Sequence, residues 1–238
     1  MGLTVLAFSP HPDDVELRCG GTLIKLSDRG YATGVVDLTA GEMGTRGSVV
    51  EREGEAAEAT RILSLHCREN LGIPDGNIEL TQENKLKVIK AIRRHRPRMI
   101  LLPYWEDRHP DHAHASRLIF DAAYLSGLSK LDTGQEAYRP EILVYYMCYF
   151  EFAPSFVVDV SREHGRKMEA IRAYRSQFYN ADYKAEETML SKPEFLEDLE
   201  MRSRYYGSLI GARHGEPFLV RGGVRLVTPM SLIEGGAP

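Results

Sequence analysis

Short apolar runs alternate with longer amphipathic segments along this 238-residue chain, and few folds tolerate that alternation. Leu3–Phe8, Gly34–Leu38, Glu69–Ile73, Met99–Pro103, Leu143–Tyr149 and Phe156–Val160 read as strands. Gly21–Arg29, Glu51–Leu63, Glu83–His95, Asp111–Leu125, Arg162–Phe178 and Pro193–Leu209 read as helices. Strand, helix and strand in regular succession form βαβ units, and such units stack into a parallel, doubly wound sheet. The expectation is therefore an α/β fold, Rossmann-like, with three α/β/α layers and a mostly parallel sheet, in one domain spanning residues 1–238. The segments 126–139 and 179–191 read as surface connections and not as domain boundaries.

Composition narrows the function classes. A net charge of −4 gives no basic footprint for a nucleic-acid partner. No apolar run reaches the length of a membrane span. The apolar start lacks the basic flank and small-residue cleavage site of a signal peptide. Cys19, Cys67 and Cys148 form no CxxC pair; an odd, scattered set argues against a disulfide framework and for a reducing cytoplasm.

In open parallel sheets, ligands bind beyond the carboxyl ends of the strands, near the point where strand order reverses. Three polar segments fall at such ends: His11-Pro12-Asp13-Asp14, Gly41-Glu42-Met43-Gly44-Thr45-Arg46-Gly47 and His109-Pro110-Asp111-His112. Any one alone is explained by a surface turn or a helix cap. Together they supply two imidazoles and a carboxylate, the donor set of a catalytic zinc ion with an open position. We assign His11, Asp14 and His112 as ligands of one Zn2+ ion, with Fe2+ or another divalent metal as alternatives. Pro110 suits the first turn of a helix and would fix His109 and His112 near its start. Amide hydrolysis further needs an activated water, a base, an oxyanion partner and a proton for the leaving amine. Asp13, beside a ligand, is free to be the base, and His109 to stabilise the oxyanion with Asp111 orienting it. Either Asp13 or His109 can deliver the final proton.

At these residues the chain resembles the PIG-L/LmbE family of N-acetylglucosaminyl deacetylases. Within that family it is most similar to the deacetylases of bacillithiol biosynthesis, through Val36-Asp37-Leu38-Thr39 with Gly41–Gly47, Asn70–Gly76, Glu106–His112, Phe156–Ser161, Lys167–Ile171 and Ser176-Gln177-Phe178. The resemblance implies zinc on His11, Asp14 and His112, Asp13 as base and a charged His109. It further implies deacetylation of N-acetylglucosaminyl-malate to glucosaminyl-malate and acetate, and a homo-oligomer, often a hexamer. Arg18 stands where the family pattern has glycine and Pro10 where it has alanine, and the stretch 147–153 is unusually aromatic. Arg18 is expected to point to solvent.

Arg46, Arg52 and Arg108 are candidates for binding the malate carboxylates, since guanidinium pairs with carboxylate bidentately. Gly20-Gly21 belongs to no complete phosphate-binding motif and suits close packing at the first helix. His114 is expected at the surface and Cys19 in the core, while Tyr104 and Trp105 serve either as a wall of the sugar site or as core. Two other functions compete. A non-haem Fe(II) oxygenase uses the same two-histidine, one-carboxylate set, but the additional Asp13 and the parallel pattern favour hydrolysis. A binding protein that kept only the fold would not need an intact Asp13 and His109. Another N-acetylglucosamine conjugate is the alternative substrate.

Overall fold

The computed structural model describes residues 2–224. Its strands are β1 (Val5–Ser9), β2 (Thr33–Asp37), β3 (Cys67–Asn70), β4 (Met99–Pro103), β5 (Ile142–Tyr146), β6 (Phe156–Asp159) and β7 (Gly215–Leu219). Its helices are α1 (Asp14–Asp28), α2 (Val49–Leu63), α3 (Gln82–His95), α4 (Pro110–Leu125), α5 (His164–Arg172) and α6 (Pro193–Ser208). The strands form one sheet in the order β3-β2-β1-β4-β5-β7-β6. The pairs β1–β2, β2–β3, β1–β4 and β4–β5 are parallel. The chain runs outward from β1 through β2 to β3, then returns to β4 on the other side of β1, so the order reverses at β1 and β4.

Every residue of β1 is buried, because a strand covered on both faces has no polar side. Side chains alternate across the sheet, and the two faces pack differently. Leu6 and Phe8 join Val36, Ile100 and Leu102 under α3 and α4. Val5 and Ala7 join Val15, Leu23 and Val35 on the α1 side. A further cluster, with Leu17, Ile24, Leu63, Ile171 and Tyr174, lies among α1, α2, α5 and the chain around α6. Helices thus cover both faces of a mostly parallel sheet, which is the expected architecture.

Several boundaries and one strand differ from the reading of the sequence. The first helix begins at Asp14 and not at Gly21, running through the metal motif with a kink at Cys19 (φ −138°, ψ 16°). The kink diverts the backbone N–H groups of Gly21 and Thr22 from the helix, and both donate to Glu216, at 2.9 and 2.7 Å. Any side chain at Gly21 would press within 3.0 Å of Val160 and Glu216, which explains the glycine. Helix α2 starts earlier because Ser48 and Glu51 form a reciprocal cap. Helix α5 is shorter than expected and ends at Arg172. Strand β7, unforeseen, inserts antiparallel between β5 and β6. It carries Glu216, which also takes the Lys167 ammonium at 2.7 Å. Glu200 of α6 bridges His164 at 2.5 Å and His214 at 2.9 Å, tying α5, α6 and the start of β7 together.

Candidate active site

Asp13 caps α1 with φ +121° and ψ −27°, a region costly for a residue with a Cβ. Its side chain makes no cap hydrogen bond, so the strain leaves a carboxylate uncommitted. The next residue, Asp14, starts the helix and sits against two rings: Oδ2 is 3.2 Å from His11 Nδ1 and 3.3 Å from His112 Nε2. These residues come from the ends of β1 and β4, joined here because those strands are neighbours. The ligand atoms of His11, Asp14 and His112 lie within 4.8 Å of one another.

The surroundings fit a metal ion. A ligating histidine commonly has its other nitrogen held by a carboxylate. His11 Nε2 lies 3.2 Å from Asp111 and 3.0 Å from Asp75, and His112 Nδ1 is 3.3 Å from Asp107 without hydrogen-bond alignment. Burial alone would depress the His11 ring, but Asp111, Asp14 and Asp75 raise it well above the ordinary imidazole range. Burial would raise Asp14, but His112 and His11 hold it well below the ordinary carboxylate range. Two imidazoles drawn around one buried carboxylate are the charge pattern that a divalent cation would replace.

Asp13 behaves in the opposite way. Its side chain is buried at 5% exposure. Burial first, and then the charges of Asp14 and Glu16, push it up to about 7 against the opposing pull of Arg52 and His11. A carboxylate poised near neutrality can both take and return a proton. The nearest cation is Arg52, whose Nη2 is 3.9 Å away. Arg52 is itself buried and lies against Gly41, whose positive φ (+69°) and missing side chain leave room for the guanidinium.

His109 caps α4, with Pro110 at the first helical position as expected. Its Nδ1 accepts the Asp111 N–H at 3.3 Å, which places the proton of the neutral ring on Nε2. Burial, then the charges of His112 and His11, lower it below the ordinary imidazole range. The expected pairing of the Asp111 carboxylate with His109 is not formed. That carboxylate instead contacts His11 and accepts Gly76 N–H at 2.8 Å, because the first turn of α4 turns its side chain toward β1 and not back toward the cap.

Carboxylates passed over in the sequence build this surround. Asp75 orders the loop by accepting Met43 N–H at 2.9 Å. Asp107 accepts the N–H groups of His109 and Tyr149, each at 2.8 Å. Asp37 and Glu16 share the Arg68 guanidinium at 2.7 and 2.5 Å. For Asp75, Asp107 and Asp37 the available signals were position alone: a Pro-Asp-Gly turn, the residue before Arg108, and the last residue of β2. Of the arginine candidates, only Arg108 is exposed. Arg46 donates to the carbonyls of Ser176 and Glu186 at 2.7 and 2.8 Å, holding its loop to the later chain. Arg18 is not in solvent: it is 8% exposed, one helical turn beyond Asp14, with its guanidinium 5.1 Å from the Tyr149 ring centre. His114 is exposed and Cys19 buried, and Trp105 packs on the core and on Tyr145.

The chain that carries this His-Asp-His cluster has relatives. Residues 6–123 match the family model described as PIG-L, GlcNAc-PI de-N-acetylase. A diacetylchitobiose deacetylase from Thermococcus kodakarensis is 30% identical over 230 residues, covering 89% of this chain and 80% of that protein. The chain belongs to the PIG-L family. It is accordingly a hydrolase of the PIG-L deacetylase group. A probable N-acetyl-alpha-D-glucosaminyl L-malate deacetylase 2 from Bacillus anthracis is 29% identical over 194 residues, covering 73% of this chain and 81% of that relative. The conserved protein TT1542 from Thermus thermophilus superposes with a TM-score of 0.87 at 44% identity, covering 95% and 98% of the two chains.

Proposed function

We propose that this PIG-L member removes the acetyl group from an N-acetylglucosamine unit of a small conjugate, using one divalent metal ion, zinc, held by His11, Asp14 and His112. The observation that carries the reading is Asp13: a strained, buried carboxylate near neutrality, directly beside a ligand set it does not join. A bound metal supplies Lewis acidity and a water of lowered pKa. The rest falls to the chain. Asp13 removes the proton of the attacking water as its oxygen adds to the acetyl carbon. His109, neutral with its proton on Nε2, donates a hydrogen bond to the resulting oxyanion. Asp13 then passes the proton to the sugar nitrogen as the C–N bond breaks, leaving a free amine and acetate. Asp111, Asp75 and Asp107 orient the histidines.

For the conjugate we propose N-acetylglucosaminyl-malate, supported by the sequence resemblance and by the Bacillus anthracis relative. Diacetylchitobiose is the second reading, favoured by the Thermococcus relative. Acetate release from N-acetylglucosaminyl-malate, diacetylchitobiose, a mycothiol-type inositol analogue and free N-acetylglucosamine tests both. No acetate from any of them would reject deacetylation of this substrate class, while a higher kcat/KM for diacetylchitobiose would reject malate. A homo-oligomer, up to a hexamer, and a cytoplasmic location belong to the same proposal. Light scattering checks the first. Among the described residues no helix is long and apolar enough to cross a membrane.

A further inference from the structure

A cavity of about 370 Å³ opens beside the ligand cluster. It is joined to the cluster through Tyr149, whose ring stacks near His112 with centroids 6.3 Å apart. Four cations line it: Arg18, Arg108, Lys192 and Arg202; the acids on its wall are Glu194 and Asp198. Lys192 is paired with Glu187 at 3.3 Å. The arginines are not so served. Among the described residues Arg18 has no carboxylate within ion-pair distance and no hydrogen bond, and its Nε is buried without a partner. Arg202 gives one nitrogen to the Cys148 carbonyl at 2.6 Å and leaves Nη2 buried and unpartnered. Arg108 rests 3.8 Å from the Tyr149 ring centre and, among the described residues, its one side-chain hydrogen bond goes to the Met189 sulfur.

A guanidinium cannot shed its charge, and a buried charge without a partner is costly unless something else neutralises it. The contact between Arg18 and Tyr149 offsets only part of that cost, as aromatic faces attract cations weakly beside a carboxylate. Two such groups facing one cavity at the edge of a reaction site need a ligand with acceptor oxygens.

We propose that Arg18 and Arg202 form an anion subsite that takes a carboxylate or phosphate group of the substrate, with Arg108 at its mouth. The proposal rests on the deacetylase reading above and narrows it: the substrate is an N-acetyl amino sugar bearing an anionic group on the Tyr149 side of the metal cluster. Arg18 is thereby a specificity residue, and its buried guanidinium is what builds the subsite.

The test uses metal-loaded protein in two measurements. In the first, melting temperature is followed against L-malate and against inorganic phosphate at constant ionic strength. Both should raise it saturably in the parent protein, and Arg18→Met should remove most of the rise while melting higher than the parent in anion-free buffer. In the second, the ratio of kcat/KM for N-acetylglucosaminyl-malate to that for N-acetylglucosamine should fall roughly tenfold to a hundredfold, the worth of a charge-assisted contact. Arg202→Met should change both measurements in the same direction and serves if the first variant does not fold. Phosphate binding with no malate effect would assign the subsite to phosphorylated substrates. Equal anion response and an unchanged ratio in both variants would overturn the subsite and leave the deacetylase reading intact. An Arg18-dependent anion response in a protein that releases no acetate from any N-acetyl sugar would do the reverse.

Discussion

Arg52 is the residue whose role the structure makes most testable. Its position on α2 suggested a partner for substrate carboxylates, yet its side chain is buried with Nη2 3.9 Å from Asp13 Oδ2. Two unit charges at that separation attract by about 4 kcal/mol at an effective dielectric of about 20, equivalent to about 3 pH units on the carboxylate. Measured shifts from one neighbouring opposite charge run about 1–3 units. Arg52→Met removes the charge and keeps the length. Asp13 already stands near 7 with Arg52 present, so the variant should titrate about 1–3 units higher. The base must be ionised, so the acid limb of the kcat/KM profile should move to higher pH. At pH 7 activity should fall roughly 5- to 500-fold, and most of the loss should return on raising the pH. A bound metal lowers both profiles together, so the difference between parent and variant is the readout. The assay is acetate release from a neutral N-acetyl sugar between pH 5 and 10. An unshifted profile with a uniform loss would refute the electrostatic role. A loss confined to anionic substrates would return Arg52 to carboxylate binding.

Three other outcomes are expected. His112→Ala should lose bound metal as well as turnover, whereas His109→Ala and Asp13→Asn should keep the metal and lose roughly 10²–10⁴ in rate; metal analysis showing equal loss in all three would reject the division of roles. Glu216→Ala should destabilise the fold by about 3–5 kcal/mol in urea denaturation, because it strands the buried Lys167 ammonium; a change below about 1 kcal/mol would contradict this. His95 is raised to about 9 by its contacts with the Cys67 sulfur and Glu69. Its folded value lies above the unfolded one, so its contribution is complete below about pH 6.5 and fades as pH rises through about 9. The stability difference between the parent and His95→Gln should therefore be about 1–2 kcal/mol at pH 6 and close to nothing at pH 10, and a difference that grows with pH would show the sign to be wrong.

The local code of this chain was strong wherever one physical requirement acted over a short stretch. Strands buried on both faces read as near-continuous apolar runs, so β1, β4 and the Val35-Val36 centre of β2 could be read directly. Parallel order follows from helices between strands, and it brings the carboxyl ends of β1 and β4 to one edge of the sheet, so His11, Asp14 and His112 could be grouped from the sequence, while the adjacency of the two strands was decided by the fold. Pro110 marked the start of α4 for the same reason of local geometry. What acted through space left little trace. Helix α1 runs on from Asp14 through its kink at Cys19 while Glu216, about two hundred residues away, accepts the N–H groups that the kink releases. Strand β7 is too short and too mixed in polarity (Gly-Glu-Pro-Phe-Leu) to announce itself, and only pairing with β5 and β6 makes it a strand. Asp111 looked like the partner of His109 by adjacency, but the helix turn aims it at His11. Charge was the least legible of all. Asp13 and Arg52 are ordinary ionisable residues in the sequence, and their burial side by side, which tertiary packing alone decides, is what brings the carboxylate near neutrality. Arg18 follows the same logic: the sequence shows only a cation one turn beyond Asp14, and only the packing of α6 and Tyr149 over it removes the water that would otherwise have solvated that charge.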